Sequence, residues 1–164
     1  MKLACLIGFE VCWFALIYWQ YPAIVPVFLL WCIAFWWLTK PEQVAVVVVT
    51  ILGVLLDYLL VQLGVFQFAD SSAIPSWMLM LWACFALVSV KVFAHWFTPW
   101  YLALAVGAIG GPLAYWGGAK LGGQLLYADL TQLLIILAPI WGLLMIALVH
   151  YRYLWSEKHE TPMA

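Results

Sequence analysis

The stretch that decides the class of this chain is residues 44–63, which read VAVVVVTILGVLLDYLLVQL. Asp57 is the one charged side chain in it. An α-helix rises about 1.5 Å per residue and the hydrocarbon core of a bilayer is about 30 Å thick, so a helix of this length can cross a membrane. The stretch therefore predicts a transmembrane helix.

The rest of the chain has the same character. Of its 164 residues, 69% are hydrophobic and 8% are charged, with a mean hydropathy of +1.10, far outside the range of a soluble domain. The net charge is -1 and there is no basic run, so no nucleic acid partner is expected. The apolar composition makes membrane lipid the expected partner. We predict an all-α, polytopic transmembrane helical bundle that forms a single integral membrane domain over residues 1–164. Its six spans are expected at 3–19, 23–38, 44–63, 77–94, 100–116 and 130–151.

Basic residues indicate the orientation, because cytoplasmic loops are enriched in Lys and Arg. With both termini inside, five of the six basic residues fall on or near the cytoplasmic side, and only Lys120 falls outside. We therefore predict a bacterial inner-membrane protein with N-in/C-in topology. The longest connections, 62–76 with its turn residues at 70–72 and 117–129, would face outward. Residues 64–68 are expected to lie in the interface as a bent extension of the third span.

Glycine is concentrated near the fifth span: seven of the eleven glycines lie between residues 107 and 123. Small residues four apart let helices approach closely in lipid. Proline in the same run removes an amide donor and leaves the carbonyl of Ala108 without its helical partner. The run therefore predicts either close helix packing with a kink or a broken helix that lines a binding cavity. The residues assigned to packing or to a cavity are Gly107, Gly110, Gly111, Pro112, Tyr115, Gly118 and Gly122.

Ionisable residues inside spans are functional candidates, because each is costly in a bilayer. Glu10, Asp57 and Lys91 form this candidate polar site. Glu10 and Lys91 have similar predicted depths, so they could form a structural ion pair or a proton or ligand site. Asp57 is expected at the depth of residues 110–112, where it could donate to the freed Ala108 carbonyl as a strut, or bind a proton or substrate.

Catalytic and cofactor signatures are not found in the sequence. There is no nucleophile elbow, phosphate loop, dinucleotide fingerprint or zinc-protease motif. His95, His150 and His159 fall on the cytoplasmic side, where an interfacial position is favoured over a metal site. We predict no metal and no cofactor, and we favour a protein that is not an enzyme.

Several segments carry a resemblance to a known family. They are GVLLD at 53–57, GVFQF at 64–68, Pro75 with WML at 77–79 and LW at 81–82, and the run GAIGGPLAYWGGAKLG at 107–122. With these the chain resembles the DUF2878 family, and the resemblance covers most of its length. It implies a small bacterial inner-membrane protein of unknown activity, often encoded beside genes for fatty-acid modification. The chain departs from the family where polar residues are expected late in the fourth span, since it has Val88, Val90 and Lys91 there.

Three functions are compatible with these features. The first is a non-catalytic membrane component associated with lipid or fatty-acid modification, acting with a membrane protein partner or as a homo-oligomer. The second is a small carrier or lipid translocase that uses Asp57 and the fifth span. The third is an intramembrane lipid-modifying enzyme that uses Glu10, Asp57 or the histidines.

Overall fold

The computed structural model describes residues 2–69, 73–97, 99–127 and 129–160, with side chains up to residue 151. The predicted turn residues at 70–72 lie outside the described residues. Six helices follow one another along the described chain. They are α1 (Lys2–Tyr18), α2 (Tyr21–Trp36), α3 (Lys40–Gln62), α4 (Ser76–Trp96), α5 (Trp100–Gly122) and α6 (Leu130–Glu160).

Four of these helices, α3 to α6, are long and apolar enough to cross a membrane. In α4, 72% of the apolar segment is buried inside the protein, against 33% in each of the other three. Helix α4 is therefore the centre of the bundle, and it packs against α1, α2 and α3. Helices α1 and α2 are shorter, with 17 and 16 residues.

Local sequence explains where the third helix begins. Pro41 occupies the first turn of α3, where a missing N–H costs nothing. The Glu42 carboxylate accepts a hydrogen bond from the backbone N–H of Thr39 at 2.8 Å, which completes a capping box at this end. The connection between α2 and α3 is consequently tight.

The expectation that residues 64–68 extend the third span into the interface is wrong. Gly64 has a left-handed φ of 69°, which ends the helix and turns the chain back toward the bundle. The following residues form strand β1 (Gln67–Phe68), which pairs antiparallel with strand β2 (Leu125–Leu126). Phe66 and Phe68 are buried in the protein, so burial of these aromatic rings stabilises this two-stranded sheet.

The fifth helix is also longer than predicted, and it is not broken. Helix α5 continues through Pro112 and six residues past the predicted end at 116, because Gly117 and Gly118 remain helical where they pack. It ends where Gly123 adopts a left-handed φ of 67°. The connection between α5 and α6 is therefore shorter than the predicted 117–129.

Candidate functional site

Asp57 lies at the centre of the bundle on α3, and its side chain is fully buried. Its Oδ2 accepts a hydrogen bond from Trp82 Nε1 of α4 at 2.7 Å, and its Oδ1 accepts one from the hydroxyl of Tyr115 on α5. The predicted partner, the Ala108 carbonyl, is therefore not the group that Asp57 contacts. Both carboxyl oxygens are used, so Asp57 links three helices.

Glycines make room for the aromatic rings around this carboxyl group. Trp82 and Trp141 are stacked, with ring centroids 5.3 Å apart and planes 11° from parallel. A Cβ atom at Gly53 would overlap the Trp82 ring, and one at Gly111 would overlap the Trp141 ring. The two tryptophans thus lie between two glycines on opposite helices, α3 and α5.

The tyrosine of this site is held from two further sides. The ring of Tyr115 lies 5.5 Å from the ring of Phe66, just before β1, and 6.0 Å from the ring of Trp141. The segment after α3 therefore packs over Tyr115. The hydrogen bond between Tyr115 and Asp57 connects the two features that the sequence had suggested lie at one depth.

The glycine run of α5 has two packing faces. On one face, Gly107 lies against the backbone and side chains of α6, where an added Cβ would approach Met145 Cγ at 2.7 Å. On the other face, Gly122 lies against α1, where an added Cβ would be 2.6 Å from the Ile17 carbonyl oxygen. Gly118 also lies beside Ile17. Close approach to α6 and to α1 therefore depends on these small residues.

A cavity of about 400 Å³ lies between α1, α4, α5 and α6. Around Gly110 the first and fifth helices are separate, since a Cβ added there would meet nothing within 4 Å, whereas they touch near Gly122. Aromatic and aliphatic side chains dominate the lining, which includes Phe9, Trp13, Trp77, Leu81, Trp82, Phe85, Leu113 and Trp141. The volume is within the range of ligand pockets, about 300–1,000 Å³, and the lining suits an apolar ligand.

Few polar groups line the cavity. Among the described lining residues, Glu10 is the only acidic side chain and there is no Lys, Arg or His. Asp57 does not line it, although its donors Trp82 and Tyr115 do. Trp141 Nε1 is buried without a hydrogen-bond partner in the described part of the chain.

The predicted pairing of Glu10 with Lys91 is wrong. Lys91 Nζ lies 2.8 Å from Glu42 Oε1, and the two side chains are 26% and 24% exposed. A π-helical turn, Ser89–Phe93, carries Lys91 beside the first turn of α3. Glu10 is exposed and has no ion pair or hydrogen bond within the described residues. Depth along a span, which the sequence indicates, does not determine the direction in which a side chain points.

No group of three metal-ligating side chains occurs among the described residues. The side chain of His159 lies outside them, so that part of the histidine hypothesis is untested.

Sequence reasoning missed Trp82, Trp141 and Glu42. Tryptophan in transmembrane helices is enriched at the two interfaces, yet Trp82 lies well inside α4 and Trp141 well inside α6. Their positions away from the helix ends were the available signal. Glu42 was recognisable only as a helix-capping residue, because its partner lies 49 positions away.

Four helices that are long and apolar enough to cross a membrane indicate a helical membrane protein. The sequence model of DUF2878, a protein of unknown function, matches residues 2–147, and the chain belongs to this family. The comparison with curated proteins found no match, and neither did the comparison with solved structures.

Proposed function

We propose that this protein binds an apolar chain of a membrane lipid in the cavity between α1 and α5, as a non-catalytic component of lipid or fatty-acid modification. The observation that carries the proposal is the cavity itself: about 400 Å³ with a lining of aromatic and aliphatic side chains. Such a lining gives a hydrocarbon chain dispersion contacts and offers almost no groups for chemistry.

The position of Asp57 supports binding over catalysis. A general acid or base must lie within hydrogen-bond reach of the group that it protonates or deprotonates. Asp57 is fully buried, is not part of the cavity lining, and has donors on both oxygens. In this proposal Asp57 is a structural residue that keeps α3, α4 and α5 together behind the cavity wall.

The membrane arrangement that accompanies the proposal has six spans, with both termini on the cytoplasmic side of a bacterial inner membrane. Its support is the five-to-one distribution of basic residues. We expect a reporter fused at Lys40 to read cytoplasmic and one inserted within residues 70–73 to read periplasmic. A cytoplasmic signal from the second reporter would refute the orientation.

The experiment for lipid binding fills part of the cavity with a larger side chain, at a position where an added Cβ meets nothing within 4 Å. Gly110→Leu places a side chain in the cavity, because the site of its Cβ is open. Gly8→Leu is the matched control: Gly8 is also exposed on a helix and open at Cβ, but it does not line the cavity.

Native mass spectrometry of protein purified in mild detergent provides the readout. We expect lipid to copurify with the wild type and with Gly8→Leu, and to be lost from Gly110→Leu at unchanged thermal stability. Equal lipid retention in all three proteins, or none in the wild type, would refute the proposal. A wild-type dimer that Gly110→Leu alone dissociates would also refute it, since a second copy would then be the occupant.

A further inference from the structure

We propose that Glu10 selects the lipid that enters the cavity, and that the ligand is a long-chain amphiphile whose polar end is an amine or a hydroxyl group with no anionic group. This inference rests on the proposed function, because it names the class of ligand for the same cavity. It assigns a role to the carboxyl group that the ion pair at Lys91 leaves unused.

The first argument is the position of Glu10. It is the middle residue of α1, eight residues from either end of Lys2–Tyr18, which is about 12 Å along the helix axis. It also lies on the border of the cavity, next to Phe9 in the lining. In the proposed six-span arrangement α1 crosses the membrane, and an ionisable group at its middle is costly unless a partner compensates for its desolvation. No partner of Glu10 is found among the described residues.

The second argument is charge complementarity. Glu10 is the only acidic group in the described lining, and no basic side chain accompanies it. A phosphate or a fatty-acid carboxylate would bring a second negative charge to this carboxyl group in surroundings of low dielectric constant, which is strongly unfavourable. An ammonium group would form a charge-assisted hydrogen bond with it, and a hydroxyl group would donate a weaker one.

The third argument is geometric. The ligand needs an apolar tail that starts close to its polar group, because the lining residues nearest to Glu10 along its own helix are Phe9 and Trp13. These offer ring and hydrocarbon surface, and the indole N–H of Trp13 is the one hydrogen-bond donor between them, which is too little for a large headgroup. An amphiphile with a small polar end therefore fits better than a glycerophospholipid.

The experiment measures binding of three probes that share one alkyl chain: hexadecylamine, hexadecanol and palmitate. Each is titrated into the delipidated protein in detergent, and the bound fraction is measured by native mass spectrometry. We expect the order of affinity to be hexadecylamine, then hexadecanol, then palmitate. Glu10→Gln should weaken hexadecylamine by about tenfold or more, the amount expected for loss of a hydrogen bond to a charged group, and should change hexadecanol by much less.

Asp129→Asn is the control for net charge. It also removes one negative charge, but Asp129 is exposed, is absent from the cavity lining, and accepts a hydrogen bond from the Thr131 N–H that an Asn oxygen can still accept. Its probe affinities should equal those of the wild type. Glu10→Ala provides a second variant if the amide of Gln binds the probes by itself.

The outcomes separate this inference from the proposed function. Binding of the probes to the wild type, with exclusion of all three by Gly110→Leu, would show that the cavity binds lipid. In that case the role of Glu10 is refuted by either of two results: palmitate binds as well as hexadecylamine, or the order of affinity is unchanged in both Glu10→Gln and Glu10→Ala. If no probe binds, or Gly110→Leu excludes none of them, the proposed function fails and this inference fails with it.

Discussion

The stacked tryptophans allow the hydrogen bond to Asp57 to be measured directly. Trp82→Phe and Trp141→Phe remove the same atoms from two rings that face each other and are 1% and 7% exposed. They differ in one respect: Trp82 Nε1 donates to Asp57 at 2.7 Å, whereas Trp141 Nε1 has no partner in the described part of the chain. The loss of packing is shared, so the difference between the two variants reports the hydrogen bond.

The magnitude follows from the burial of the acceptor. Loss of a donor to a buried polar group costs about 1–3 kcal/mol, and removal of a donor that has no partner costs nothing in hydrogen bonding. We therefore expect the free energy of unfolding to fall by about 1–3 kcal/mol more in Trp82→Phe than in Trp141→Phe. The assay is reversible unfolding in mixed micelles by titration with sodium dodecyl sulfate, followed by far-ultraviolet circular dichroism.

A double-mutant cycle identifies the acceptor. In the Asp57→Leu background the indole N–H of Trp82 has lost its acceptor, so the difference between the two tryptophan variants should fall close to zero. Equal losses in the wild-type background, or a difference that persists without Asp57, would show that the hydrogen bond does not stabilise the bundle.

Two further predictions concern the polar contacts between helices. Asp57→Asn should preserve the fold, because its amide oxygen can accept from Trp82 while its NH₂ group donates to the Tyr115 oxygen; Asp57→Leu strands both donors and should cost about 2–6 kcal/mol in the same unfolding assay. A lower free energy of unfolding for Asp57→Asn than for Asp57→Leu would contradict this prediction. Lys91→Met should cost less than about 1 kcal/mol, since both members of its ion pair are about a quarter exposed, and a cycle with Glu42→Gln should give a non-zero coupling energy. If the stability losses of Lys91→Met and Glu42→Gln simply add in the double variant, the two residues do not form an ion pair.

The site was only partly predictable from the sequence. Asp57 and the glycine run were identified, and the structure does bring them together, but through Tyr115 and not through the Ala108 carbonyl. The interpretation of Glu10 and Lys91 as a pair failed because a closer carboxylate, Glu42, arrives from the first turn of α3. The sequence around Glu42 indicates only its role in capping α3, so its second contact, with Lys91, could not be predicted.

What the sequence by itself determined is the number and approximate place of the helices, because length and apolarity are local properties of each stretch and the bilayer selects for them. Membership of the family belongs with this, since the match extends over residues 2–147. What only the tertiary structure decided is the rotation of each helix about its axis and the identity of its neighbours. In lipid almost every face of these helices is apolar, so hydropathy does not distinguish the face that packs from the face that meets lipid. The stack of Trp82 on Trp141 and the gap beside Gly110 therefore exist only once the helices are assembled.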